Sequence, residues 1–189
     1  MESAKSILNE QSFRKVNFSS ISKKTKLSRS AIYQYYKNPE EILANILMVE
    51  FKDLNEQLTK NSPKNVNEMC DKLFQYIKNR RLLLKLLSLN FSIIEDNLSD
   101  KIFLNLKDSI FTFLAIVKKM LVQINPNLKN SQISYVQYSL LTTLSSIYPI
   151  THDDGNHLAM IRKVDATFIK PDYKELLEAN IKNILSTIA

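Results

Sequence analysis

The stretch LSRSAIYQYYKNPEEI, residues 27–42, decides the fold. Its second half opens a helix. Asn38 is an N-cap, because its side-chain oxygen can accept from a free amide of the next turn. Pro39 suits the first helical position, where its missing N–H costs nothing. Glu40 and Glu41 complement the positive end of the helix, and Glu41 falls three residues after Asn38, as in a capping box. The first half must then be a short helix that stops before Asn38. Ser28 caps it, and the spacing predicts a helix over 29–36. Ile32 and Tyr36 share one face at i, i+4, while Arg29, Ser30, Tyr33 and Gln34 lie largely off that face.

Upstream, Ala4, Ile7 and Leu8 begin the apolar face of a first helix over 3–15. Asn17 caps a second over 18–25, with Phe18 and Ile21 turned inward at i, i+3. Two short helices joined by a tight turn, the second with a polar outer face, make a helix-turn-helix, whose second helix enters the major groove of DNA. The side chains suit that task. Arg29 can present a donor fork to guanine and Gln34 can read adenine. Ser30 and Ala31 are small enough for close approach. Tyr33, Tyr35 and Lys37 can reach phosphates. Asn17, Ser19 and Ser20 at the start of the second helix, and Ser28 at the start of the third, offer hydroxyls and amides to phosphates as well.

Charge agrees. The chain has 189 residues and a net charge of +7. Residues 1–38 carry eight basic and two acidic side chains; the remaining 151 carry 18 and 17. The excess therefore sits in the first fifth of the chain, as polyanion binding would require. One Gly and five Pro disfavour a fold of many tight turns, and the long Leu/Ile/Lys/Glu/Asn segments predict an all-α protein. The single Cys70 excludes an intramolecular disulfide and fits a reducing compartment, here the cytoplasm. The N-terminus has no apolar core of a signal peptide. The longest apolar run, residues 82–89, is interrupted by Lys85 and Ser88 and is too short to span a bilayer.

The segment 18–42 resembles the DNA-binding signature of the TetR family of bacterial transcriptional regulators. Ile21, Leu27, Ser28, Ile32, Tyr33, Tyr35, Tyr36, Glu41 and Ile42 fall on matching positions. The sequence departs from that signature at Lys26, where the family prefers Gly, at Ser22, where it has Ala, and at Pro39, so that Lys37 takes the phosphate contact. The resemblance implies a helix-turn-helix domain over 1–45 and an all-helical effector-binding and dimerisation domain over 46–189. Periodicity predicts the helices of the second part over 39–60, 63–79, 80–96, 99–124, 131–148 and 172–187, about nine in the whole chain.

On the last helix, Tyr173, Leu177, Ile181, Ile184 and Ile188 form an apolar stripe that reads equally as core. The family's habit of dimerising through its last two helices implies an interface there, shared with Val136, Leu140 and Leu144. Candidate lining for an effector pocket is Phe74, Asn90, Phe91, Phe103, Phe111, Gln137 and Tyr138, each of which reads individually as core. The loop THDDGNH gathers His152, Asp153, Asp154 and His157, but at no recognised metal-ligand spacing. No metal, cofactor or catalytic residue is expected. The expectation is a homodimeric repressor, released by an unidentified small-molecule effector from an inverted-repeat operator in double-stranded DNA, with no membrane partner. A helix-turn-helix scaffold that binds a protein or an anionic membrane surface is the alternative.

Overall fold

A computed structural model describes residues 1–10, 13–25, 27–60, 62–152 and 156–188. Ten α-helices and no strand occur among them. They are α1 (Glu2–Glu10), α2 (Phe18–Lys24), α3 (Arg29–Tyr33), α4 (Pro39–Thr59), α5 (Val66–Ile77), α6 (Arg81–Leu89), α7 (Asp100–Ile124), α8 (Asn130–Thr151), α9 (Asn156–Val164) and α10 (Tyr173–Ser186). Local chemistry sets most of the starts. Asn17, Ser28, Asn38, Asn65 and Asp172 each accept an amide of the first turn on their side-chain oxygen.

Helix α4 is the axis of the molecule. Its buried face, including Ile42, Leu47, Phe51, Leu54 and Leu58, packs against α7, α6 and α5. Phe51 meets Phe113 of α7 with ring centroids 5.9 Å apart. Helix α6 packs on α8, and α10 lies against both α5 and α8. One continuous core runs from Ala4 in α1 to Ile188 after α10. The α4 helix passes through residues 45 and 46 without a break.

Besides α3, which is shorter than expected, four elements differ from the sequence-based expectation. The first helix stops at Glu10, and a separate 3-10 turn covers Phe13–Lys15. The sixth does not run to Asp96: it ends at Leu89 and passes into a π-helical turn (Asn90–Ile94) and a 3-10 turn (Glu95–Asn97). Asn90 is fully buried there, with its amide donating to Glu95, whose carboxylate is held by Lys107 at 2.7 Å. The eighth helix continues through Pro149 to Thr151: the lost Pro149 N–H costs one bond of the ladder, and the turn beyond it is closed by His152 N–H donating to the Tyr148 carbonyl at 2.7 Å. Past the loop expected over 151–157, of which Asp153, Asp154 and Gly155 lie outside the described residues, an unexpected tenth helix, α9, brings the count above the nine expected. Its apolar residues Met160, Ile161 and Val164 are exposed.

The stripe expected to form a dimer interface is used inside the chain. Val136, Leu140, Leu144, Leu177 and Ile181 have no exposed surface, and Ile188 is buried. Tyr173 and Ile184 are half-buried against the same core, and the Tyr173 hydroxyl donates to the Ile77 carbonyl at 3.4 Å. The reason is steric: α5 and α8 of the same chain pack against this face of α10 and leave only Tyr173 and Ile184 partly exposed along the stripe.

Candidate nucleic-acid interface

Two reciprocal hydrogen bonds fix the start of α2. Ser20 N–H donates to Asn17 Oδ1 at 2.9 Å, and Asn17 N–H donates to Ser20 Oγ at 3.1 Å. Phe18 and Ile21 are buried. The exit from α2 is stitched by side chains: Ser22 Oγ donates to the Leu27 carbonyl at 2.9 Å, and Leu27 N–H reaches Thr25 Oγ1 at 3.3 Å. Ser22 thus has a task that the alanine of the family signature lacks. Lys26 lies outside the described residues.

Ser28 then caps α3, accepting from Ala31 N–H at 3.2 Å. Ile32 is the only fully inward residue of this helix, and it sets the rotation of the rest. Arg29, Ser30 and Tyr33 face outward and Ala31 is partly covered. The helix is shorter than expected. Gln34 is already its C-cap, and Gln34 and Tyr35 form the turn, both exposed. Gln34 therefore leaves the end of the helix rather than its face. Tyr36 goes inward, and burial, followed by the charge of Glu41, pushes its phenol pKa up. Tyr33 is exposed but anchored: its ring meets Phe18 edge-on at 4.4 Å.

The four residues expected to read bases, Arg29, Ser30, Ala31 and Gln34, thus lie together at the outer side of α3 and its end. Of those expected at phosphates, Ser28, Tyr33, Tyr35 and Lys37 flank them. Asn17, Ser19 and Ser20 cluster at the start of α2. The polar atoms of Asn17 and Ser20 are engaged with each other there, and the Ser20 hydroxyl also lies 2.6 Å from the Lys15 carbonyl.

The positive charge divides into two groups. Lys5 pairs with Glu50 of α4 at 3.5 Å, and Lys24 with Glu10 at 3.2 Å. Arg14, Lys15, Lys23, Arg29 and Lys37 are exposed. Among the described residues, Lys15, Lys23 and Arg29 make no ion pair with a carboxylate. Lys23 lies on α2, and Arg14 and Lys15 lie in the 3-10 turn that precedes it.

The head is tied to the rest of the chain at four places, one of them the Lys5–Glu50 pair. Asn38 Nδ2 donates to the Asn97 carbonyl at 2.6 Å. Glu41 accepts from Lys37 N–H at 2.8 Å and from Ser99 Oγ at 2.7 Å. Burial raises the Glu41 pKa, but these hydrogen bonds outweigh it and leave the carboxyl below its ordinary value. On the other side, Lys85 of α6 donates to the Leu8 carbonyl near the end of α1.

The seven residues expected to line an effector pocket do not converge. Phe91, Phe111 and Tyr138 are 48%, 55% and 56% exposed. Asn90 is sealed in the core, Gln137 Nε2 donates to the Leu114 carbonyl at 2.7 Å, Phe103 sits beside Lys107, and Phe74 packs against the core under Lys78. Concave surface occurs elsewhere. A cleft of about 730 Å³ separates α4 from α7, and one of about 820 Å³ lies between α1, α6 and α8. Among the described residues no group of three or more His, Cys, Asp or Glu is placed to hold a metal ion, and no helix is long and apolar enough to cross a membrane. Cys70 is buried, which pushes its thiol pKa up.

Compared with curated proteins, the chain finds no match. Residues 47–186, more than half of the chain, match the family described as tetracyclin repressor-like, C-terminal domain. That match covers the helices that follow the helix-turn-helix, and with it the chain belongs to the TetR family of transcriptional regulators.

Proposed function

We propose that the chain is a dimeric repressor that binds an inverted-repeat operator through α3 and releases it when a small molecule binds. Residues 1–45 are the DNA-binding head and residues 46–189 the effector-binding and dimerisation body, with α4 running from one into the other. The observation that carries this reading is the outer surface of the head. Arg29, Ser30 and Gln34 are exposed on and beside a helix held by Ile32, and the same head exposes Arg14 and Lys15 before α2, Lys23 on α2 and Lys37 after α3. A base-reading strip set among phosphate-seeking cations is what groove recognition needs.

A two-fold operator needs two heads. Since the inner faces of α8 and α10 are used within the chain, the second copy is taken by the outer side of the α7–α8 hairpin. The Gln137–Leu114 hydrogen bond sets the register of that hairpin, which puts Phe111 and Ala115 level with Tyr135 and Tyr138. Phe111, Tyr135 and Tyr138 are all more than half exposed, the kind of aromatic surface that an isologous interface covers.

The test is a selection of bound fragments from the source genome at roughly 150 mM salt with excess competitor DNA. Recovery of a few fragments sharing an inverted repeat is the expected result. Uniform recovery leaves only sequence-independent charge and overturns the assignment.

A further inference from the structure

The cavity between α1, α6 and α8 is built differently from the other clefts. Its polar groups converge. Lys85 reaches across it from α6 to the Leu8 carbonyl, one of the last four of α1 and so without a partner inside its own helix. Arg81, one turn earlier on α6, donates to His152 Nδ1 at 2.8 Å and lies 5.9 Å from the Tyr148 ring. The Lys85 ammonium is 6.0 Å from the same ring, and Tyr148 stacks on His152 at 4.6 Å. Leu8, Phe13, Leu82 and Leu89 supply an apolar wall. Burial and then the like charge of Arg81 hold the Lys85 pKa below its ordinary value. Glu10 at the rim is engaged by Ser6 at 2.9 Å and Lys24 at 3.2 Å. The α4–α7 cleft, by contrast, mixes exposed Lys52 and Lys60 with exposed Glu56 and Asp108 and favours neither sign.

We infer that this cavity is the effector site and that its ligand is a small organic acid. One carboxylate sits between Lys85 and Arg81, with an apolar or aromatic body against Tyr148, Leu82 and Leu89. The size fits: about 820 Å³ lies within the range of small-molecule pockets. The charge fits as well. Lys85 and Arg81, one turn apart on α6, both lie beside the Tyr148 ring at the cavity, and two cations on one wall favour an anion. The inference deepens the repressor reading and rests on it for its consequence. The ammonium that binds the acid is the one that holds the end of α1 to α6, so ligand binding loosens the head.

The test uses the full chain and no DNA. Octanoate and benzoate are titrated by calorimetry beside their neutral amides, octanamide and benzamide. The expected result is binding of at least one acid about tenfold or more tighter than its amide, the scale of one charge-assisted hydrogen bond. Lys85→Met abolishes that preference, and Arg81→Met, at an exposed site where folding is not at stake, weakens it. Amide exchange at Ile7–Asn9 accelerates with the acid and not with the amide. Binding of neither acid, equal binding of acid and amide, or a preference that survives both substitutions overturns the inference. A chain that prefers acids yet recovers no genomic fragment keeps this site and refutes the repressor. A chain that recovers an inverted repeat but ignores the acid's charge refutes the site alone.

Discussion

Glu41→Gln is the sharpest test of how the head is held. Glu41 is 3% exposed in the first turn of α4, and its two carboxylate oxygens accept from Lys37 N–H and Ser99 Oγ. Ser99 is the N-cap residue of α7 but gives its hydroxyl to Glu41 and makes no side-chain cap bond to its own helix. The substitution keeps the shape and removes the charge. Two hydrogen bonds to a charged acceptor, each about 1.5–3 kcal/mol, become two neutral ones of about 0.5–1.5 kcal/mol, since the Ser99 hydroxyl can turn to accept from the new amide. Relief of a buried charge offsets part of that loss. The Glu41 pKa lies below its ordinary value, so the ionised form is the one the fold favours, and the net cost is about 1–2 kcal/mol. That is roughly a 5–30-fold change in the folded-to-unfolded ratio. Urea unfolding followed by circular dichroism measures it. Because the folded pKa is depressed, the contribution is complete above the unfolded glutamate value of about 4.3 and is lost as pH falls through the folded value. The gap between wild type and variant must therefore shrink as pH falls below about 4.3 and through the depressed folded value. A gap near zero at pH 7, or one that does not shrink as the pH is lowered to where the carboxyl is protonated, refutes the assignment of a stabilising carboxylate at this junction.

Two further outcomes test the interfaces. Phe111→Glu, at a position more than half exposed, should convert the dimer to a monomer in sedimentation while changing the stability of each chain by no more than about 0.5 kcal/mol; a variant that stays dimeric removes the α7–α8 surface from the interface. On DNA, Arg29→Ala should cost about 1–3 kcal/mol on the operator and relax preference at one base pair. Lys37→Ala should weaken all sequences alike and flatten the salt dependence by about one unit per chain, whereas Lys5→Ala, already paired with Glu50, should leave that slope unchanged. Equal loss on every sequence for Arg29→Ala contradicts its role in base reading.

The head was legible because its signals are local. A capping side chain reaches an amide two or three residues away, so Asn17, Ser28 and Asn38 announce their helices without any knowledge of the fold. The inward residues Phe18, Ile21 and Ile32 follow from the same period. What escaped was tertiary. The stripe on α10 says that one face is covered but not by what, and α5 and α8 of the same chain cover it. The π-turn at Asn90 has no local signature in a run as apolar as α6. Helix α9 buries too little apolar surface for periodicity to mark it. An aromatic on a long helix does not by itself say whether it lines a cavity, packs in the core or faces outward, and Phe91, Phe111 and Tyr138 turn outward. Lys85 was visible only as an interruption of an apolar run; a lone Lys in such a run is itself a signal that its charge has a destination, here the end of α1.

The two sides of the head bear unequally on switching. On one side, Asn38 and Glu41 are bonded to Asn97 and Ser99, in a buried, charge-assisted junction that a ligand in the α1–α6 cavity does not touch. On the other, α1 is held to α6 by Lys85 on the Leu8 carbonyl and to α4 by Lys5 on Glu50. An effector can move the equilibrium between head positions only by its difference in affinity for them. If it acts by taking Lys85 from Leu8, that bond contributes about 1.5–3 kcal/mol to the difference, the scale of a hydrogen bond from a charged donor. That contribution corresponds to roughly a 10–150-fold loss of operator affinity per chain, within the ordinary range of allosteric coupling. Two chains acting together square that factor, so the dimer rather than the strength of one contact makes release complete. The junction at Glu41 must then behave as the hinge: α1 swings while the start of α4 keeps its bond to Ser99. A Glu41 variant should therefore alter operator affinity with and without ligand by the same factor, while a Lys85 variant should erase the difference between the two.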